Sequence, residues 1–502
     1  MNLPIPDFSE SVERSFDMPA RAAFAWSAFA AAVFLAGCAS TNGLSPDASP
    51  RDADALAAQR TLADATISSA AWPKDDWWNA FGDPQLGALM DEALAGSPTL
   101  RIAAARTRKA LAAADASNAA LLPRIDASVS STRERYSANG IAPPPIGGST
   151  RTLDQLQATL EWEIDFWGKN RSAYEAALGA ARAAEVDAHA ARLALSTNVA
   201  AAYVQLQRAF LQRDVAETTL KERDQIAALT HDRNAAGIDS RIELTQAESA
   251  LPATREEIAQ LDERIALTRN QLAALLGAGP DRGLAITRPT AQALSPMALP
   301  STVPAELLGR RPDVIALRWR IEAARKDVAS AKAAFYPNVN LLAFVGLQSL
   351  GAGNLLTAAS RMIGAGPAVT LPIFDAGRLR ANLAGKDADQ DIAVEQYNQT
   401  LADAMRDVVD QLASFRSIRE QRTQQQLALA TARQAYDLAL LRYREGLGNY
   451  LQVLSAEQPL LEQQRLDADL HARELDVSIG LIRALGGGYQ PTPTPALASV
   501  AR

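Results

Sequence analysis

The amino-acid sequence predicts a mainly α-helical chain carrying β-hairpins, formed by an internal duplication, and three observations lead there. Two stretches open on one proline and close on another. Ser97-Pro98 runs to Leu122-Pro123 and Arg311-Pro312 runs to Tyr336-Pro337, each anchor displaced by 214 positions. A strict alternation follows: Leu156, Ala158, Leu160, Trp162, Ile164 and Phe166 are apolar, while Gln155, Gln157, Thr159, Glu161, Glu163 and Asp165 are polar. That period of two makes a strand with one apolar and one wet face. Third, residues 169 to 231 contain few helix breakers, so a single helix of about 95 Å is expected there.

The repeat fixes the order of the elements. Asp165-Phe166-Trp167-Gly168-Lys169-Asn170-Arg171 parallels Ile373-Phe374-Asp375-Ala376-Gly377-Arg378-Leu379-Arg380, with Gly168 and Gly377 offset by 209. The same offset relates Arg233 to Arg442, Gly237 to Gly446, Ala247-Glu248 to Ala456-Glu457, and Leu276-Gly277 to Leu485-Gly486. The first copy therefore carries five extra residues between Pro123 and Gly168, where a surface loop is expected. Ile125, Ala127 and Val129 alternate with Asp126, Ser128 and Ser130, and Ala142-Pro143-Pro144-Pro145-Ile146-Gly147-Gly148 supplies the loop. The second hairpin is expected from Val339 to Leu347 and from Ala365 to Ile373.

Shorter helices at 98 to 122 and 240 to 276 sum to about 93 Å and match the long one when stacked end to end. Around each hairpin the helices have proline at their starts and glycine at their stops. Leu195, Val199, Ala202, Leu206 and Ala209 form a seam, as do Tyr436, Leu440, Tyr443 and Leu447. Such stripes are core positions of side-by-side helices.

The N-terminus reads as an address. Arg21 is followed by a short apolar run ending in Leu35-Ala36-Gly37-Cys38, a signal peptide too short to span as a stable helix. Leu-Ala-Gly-Cys matches the bacterial lipobox, which makes Cys38 the lipidated mature N-terminus. Asp7, Glu10, Glu13 and Asp17 give the wrong charge for a signal n-region, so Met18 is the expected start. Ala39 after the cysteine implies sorting to the outer membrane. The expected divisions are 1–37 signal, 38–95 lipidated segment, 96–280 first repeat with its hairpin at 124–166, 281–309 equatorial linker, 310–488 second repeat with its hairpin at 338–374, and 489–502 flexible tail.

Composition excludes several classes. The net charge is -7 with no basic cluster, so nucleic acid is not an expected partner. Cys38 is the sole cysteine, which excludes an intramolecular disulfide and any multi-cysteine metal site. His189, His231 and His471 lack metal spacing, and no phosphate loop or nucleophile elbow is present. These histidines read as surface residues. No enzyme and no cofactor is expected beyond the diacylglyceryl and N-acyl lipid on Cys38.

Four strands with an apolar face cannot close a barrel of useful bore, and open edges in lipid cost several kcal/mol per backbone group. Other copies must complete the sheet. Two, three or four copies satisfy the even strand numbers of bacterial barrels.

Longer motifs carry a family resemblance. Trp77-Trp78-Asn79-Ala80-Phe81-Gly82-Asp83-Pro84-Gln85-Leu86 resembles the opening motif of NodT-type outer-membrane efflux lipoproteins, which are TolC-like. Arg310-Arg311-Pro312-Asp313-Val314, Ala331-Lys332-Ala333-Ala334-Phe335-Tyr336-Pro337, and Arg442-Tyr443-Arg444-Glu445-Gly446-Leu447-Gly448-Asn449-Tyr450-Leu451 resemble its other signatures. The resemblance covers nearly the whole mature chain. It implies a homotrimer with a 12-stranded transmembrane β-barrel, four strands per chain, continuing into a periplasmic tunnel of long antiparallel helices. It also implies the exit duct of a tripartite RND-type pump, with a periplasmic adaptor and an inner-membrane RND transporter as partners and the protein lipid-anchored in the outer membrane.

The same resemblance makes Gly237 and Gly446 the turns at the periplasmic tip, where glycine adopts positive φ at little steric cost, and places a periplasmic gate at the second of them. Leu451 matches a leucine forming an apolar ring across the trimer axis, and Arg444 an arginine tying neighbouring helices when closed. Ser455 stands where pump-linked channels commonly have aspartate, and serines bind cations far less than a ring of carboxylates. Glu457 and Glu248 lie nearby on other helix faces. Two alternatives remain at this point: a duct for type I protein secretion, and a periplasmic adaptor lipoprotein, which would have one helical hairpin and lipoyl-like β halves.

Overall fold

A computed structural model of the chain describes residues 40–52, 72–292 and 310–490. The lipobox, Cys38, Met18 and residues 293–309 lie outside them. After a short 3-10 turn at Trp77–Phe81 come α1 (Pro84–Gly96), α2 (Pro98–Ala119), β1 (Arg124–Arg135), β2 (Thr150–Ile164), α3 (Lys169–Ala235), α4 (Arg241–Leu275) and a single helical turn, α5 (Asp281–Leu284). The second half repeats the order with α6 (Pro312–Ala333), β3 (Asn338–Leu350), β4 (Arg361–Thr370), α7 (Arg378–Arg444) and α8 (Tyr450–Ala484). The duplication is visible in the lengths: α3 and α7 both have 67 residues, and α4 and α8 both have 35.

Two compact units result. The first comprises residues up to Asp47, Asp115–Ala176 and Ala324–Gln390. Its centre is one antiparallel sheet of order β1-β2-β3-β4, so β2 pairs with β3 and joins the two hairpins. The register sets Ile125, Leu160, Ala343 and Ala365 in one row, and Ala127, Ala158, Val345 and Ile363 in the next. Side chains alternate faces along a strand, so one face is apolar across all four strands. Beneath the sheet Trp167 stacks on Tyr336 at 4.8 Å and donates through Nε1 to the Pro337 carbonyl at 2.8 Å. Val328, Phe335, Leu379 and Leu383 form a small core into which Leu44 packs. Arg380 donates to the carbonyls of Ser40 and Asn42, fixing the start of the described chain beside the first turn of α7.

The last strand differs from expectation. It spans 361–370, starting before Ala365 and stopping short of Ile373. Pro372 has no backbone N–H to continue a ladder. Pro367 remains inside β4, as a proline can when the strand is at an edge.

The second unit comprises Ala48–Ala114, Ala177–Ala323 and Asp391–Arg502. Its main core gathers Trp77, Trp78, Phe81, Leu86, Leu89 and Met90 against Leu195, Val199, Tyr203 and Leu206 of α3 and Leu475, Ile479 and Ile482 of α8. Each fully buried side chain of this size contributes about 1.5–3 kcal/mol, so the aromatic opening motif acts as a brace. Asp83 positions it: its carboxylate caps α1 at Gln85 N (2.9 Å) and accepts from Tyr203 OH (2.7 Å) and Thr290 N (2.7 Å). Shorter helices abut end to end as their lengths required. A Cβ on Gly277 would lie 2.7 Å from the Gly96 carbonyl, and one on Gly486 would lie 2.1 Å from that of Arg310. Only glycine lets the end of α4 meet the start of α2, and the end of α8 meet the start of α6, this closely.

The seam at 195 to 209 is fully buried. The second seam ends early: Tyr436, Leu440 and Tyr443 pack together, but Leu447 is 70% exposed. The helix stops at Arg444, and Leu447 belongs to the turn, where helical periodicity no longer aims it inward. His471 corrects a further expectation. It is half-buried, its Nε2 3.4 Å from Gln207 Nε2, and burial, aided by Arg422, lowers its pKa. No described helix is long and apolar enough to cross a membrane.

Candidate functional site: the paired helix turns and the apolar sheet face

The two turns are built alike. Gly237 (φ 74°) and Gly446 (φ 73°) take the left-handed conformation just beyond α3 and α7. Ile238 N donates to Arg233 O and Leu447 N to Arg442 O, both at 2.8 Å. These are six-to-one Schellman closures that satisfy carbonyls at a helix end. Ser240 starts α4 through a capping box with Glu243, and Asn449 caps α8.

The chemistry at the turns is not symmetrical. Arg233 grips Asp239 through Nε (2.9 Å) and Nη2 (3.2 Å), lies over the Tyr443 ring at 4.6 Å, and donates to the Tyr443 carbonyl at 3.1 Å. Tyr443 in turn donates its hydroxyl to Asp239 at 2.6 Å, and Thr230 Oγ1 lies 2.8 Å from that hydroxyl. This network binds the first turn to the end of α7. Burial opposes the Asp239 charge, but bonds from Arg233 and Tyr443 outweigh it and hold its pKa below the ordinary carboxylate value. The Tyr443 hydroxyl is pushed up to about 12 by burial and by the neighbouring carboxylate.

Deeper in the same bundle Arg223 forms two 2.9 Å bonds to Glu457, whose side chain is 5% exposed, and donates to Thr254 Oγ1 at 2.8 Å. Three helices, α3, α4 and α8, meet at that guanidinium. Sequence reasoning set Glu457 aside as another face. It missed Arg223, Asp239 and the polar role of Tyr443. A signal was available: at the repeat-equivalent position of Asp239 stands Gly448, so the acid is unique to the first turn.

Leu451 and Ser455 fall on one exposed face in the first turns of α8. Leu451 is 57% exposed, and Ser455 Oγ donates to its carbonyl at 2.7 Å. Arg444, the last residue of α7, is exposed and makes no hydrogen bond or ion pair with the described residues. Glu248 is exposed on α4. Apolar side chains surround both turns on the outside: Ile238, Ile242, Leu447 and Leu451 are all exposed. A lone chain in water would not leave such a group uncovered without a partner.

In the other unit, the apolar sheet face is open. Ile125, Val129, Ile363 and Val369 are 66–84% exposed. The reverse face carries Asp126, Ser128, Ser130, Gln155, Gln157, Thr159 and Glu161 and, on the second hairpin, Leu342, Phe344 and Met362. A greasy outer face with a largely polar inner face is the pattern of a membrane strand. Both β1 and β4 end the sheet with unpaired edges.

The outer membrane efflux protein model matches residues 89–278 and 303–487. The chain belongs to the outer membrane efflux protein family. The two matched segments correspond to the two repeats. Among known proteins it is similar to the fusaric acid resistance protein FusA of Burkholderia cepacia, 40% identical over 362 residues, covering 72% of this chain and 68% of FusA. It is also similar to the multidrug resistance outer membrane protein MdtP of Escherichia coli K12, 34% identical over 438 residues, covering 86% of this chain and 90% of MdtP. Among solved structures, the outer membrane protein VceC of Vibrio cholerae superposes with a TM-score of 0.79 at 35% identity, covering 84% of this chain and all of that one. The protein is thus an outer-membrane efflux channel, and the adaptor alternative is excluded by the double match.

Proposed function

We propose that three copies of this chain close a 12-stranded barrel and form the passive exit duct of a tripartite RND-type pump. The observation that carries this reading is the four-stranded sheet with an apolar outer face and two open edges, β1 and β4. In lipid those edges need partners, and β4 of one copy meeting β1 of the next supplies them without a new element. Names of the relatives, multidrug resistance and fusaric acid resistance, support small organic solutes as cargo, moved without covalent change and without a cofactor.

Cys38 is the proposed lipid anchor. It stands two positions before Ser40, whose carbonyl accepts from Arg380 beside the start of α7. Acyl chains there would enter the leaflet at the base of the barrel. At the helix turns, Leu451 forms the apolar constriction, Arg444 is free to reach a neighbouring copy, and Ser455 leaves the ring without a cation-binding acid. The exposed apolar residues at Gly237 and Gly446 are the proposed adaptor contact.

The test is dye export from cells whose own outer-membrane channel has been removed. With this chain and its genetic neighbours as pump and adaptor, ethidium efflux should recover. Trimers present in the outer membrane without recovered efflux, but with secretion of a protein substrate, would refute the solute-exporter reading.

A further inference from the structure

The outward face of the sheet is not apolar throughout. At the ends from which the helices leave, it carries Ile125 to Val129, Leu156 to Ile164, Val339 to Leu347 and Ile363 to Val369. The run from Leu156 to Ile164 covers about 26 Å along its strand and about 20 Å of membrane depth once tilted. From its last row upward the same face changes character: Arg361 opens β4 in the row of Val129, Leu156 and Leu347, and beyond that row Ser131, Arg133 and Arg135 continue β1 while Thr152 and Asp154 continue β2. All three arginines are exposed, and none of their side chains has a hydrogen bond or ion pair among the described residues. The one acid on that face, Asp154, is 8% exposed and accepts from Ser131 Oγ at 2.5 Å, so it is committed within the sheet.

We infer that Arg133, Arg135 and Arg361 bind the phosphate groups of outer-leaflet glycolipid around the rim of the barrel. The inference rests on the reading of this sheet as a membrane barrel. The loops at 136–149 and 351–360 join the arginine-bearing strand ends and the helices leave from the opposite ends, which puts the arginines on the outer side. They sit where the apolar band stops, at headgroup level, and a guanidinium fork matches phosphate oxygens in pairs. A trimer would carry three such sets, so the rim offers cations to a surface whose lipids are anionic. Three uncompensated arginines facing hydrocarbon would be expelled, whereas the same three against phosphate are satisfied.

The test uses purified trimer in non-ionic detergent, titrated with bisphosphorylated lipid A and with its dephosphorylated form, with bound lipid counted by native mass spectrometry. Wild type should retain the phosphorylated form selectively and lose it as salt is raised. Arg133→Gln, Arg135→Gln and Arg361→Gln should each weaken retention about fivefold, and the triple variant should not distinguish the two lipids. Equal retention by wild type and triple variant overturns the inference. So does a triple variant whose lipid-free trimer melts lower by the whole difference, which would make the arginines partners of a neighbouring copy. Failure of wild type to form a conducting trimer would instead remove the barrel reading beneath it.

Discussion

Replacing Asp239 by Ala should loosen the first helix turn from the end of α7. The carboxylate is 7% exposed and accepts three bonds, two from Arg233 and one from Tyr443. Removing one partner of a buried ion pair costs about 3–5 kcal/mol because the other charge is left behind. The network lies at a helix end beside the exposed turn residues Gly237 and Ile238, so the low end applies, about 3 kcal/mol. That is about a 150-fold change in the closed population of the turn. Hydrogen exchange reads it directly: the Ile238 amide, bonded to the Arg233 carbonyl, should exchange up to about 100-fold faster, while amides near Leu206 stay protected. Acid should act the same way on wild type. A carboxylate whose folded pKa is depressed stabilises fully above its ordinary value of 3.8 and loses that contribution as pH falls through the lower folded value. Unchanged protection at Ile238 in Asp239→Ala would refute the reasoning.

Glu457→Ala should destabilise the tip bundle by about 3–5 kcal/mol, whereas adding Arg223→Met should recover most of the loss, since an apolar pair can replace a buried ionic one; denaturant melts of the single and double variants give the cycle. Burial lifts the Asp476 carboxyl from 3.8 to about 6, so it favours folding most below pH 3.8 and that advantage is lost as pH rises through about 6. Asp476→Asn should therefore gain on wild type in thermal stability between about pH 4 and pH 6, and parallel curves would refute the burial argument. Leu451→Ser should raise single-channel conductance in planar bilayers; no change would leave Leu451 a packing residue.

The fold was legible where local rules and tertiary structure agree. Pro98 and Pro312 open helices, Gly237 and Gly446 take positive φ, and the alternation from Gln155 to Ile164 is a strand in register with its neighbours. Legibility failed where side chains distant in sequence meet. Glu457 and Arg223 are 234 positions apart, and nothing in either local segment announces the pair. Leu447 failed for the opposite reason: its spacing continues a seam past the residue where the helix ends. The join between β2 and β3 was also hidden, because hairpin signals report turns, and these strands are separated by the whole of α3, α4, α5 and α6.

Conductance of the purified protein in a planar bilayer tests the central claim most directly. The account predicts discrete steps from a species that runs as a trimer when unheated and as a monomer when boiled. Stable trimers that insert and pass no current, even after Asp239→Ala and Leu451→Ser are combined, would contradict it.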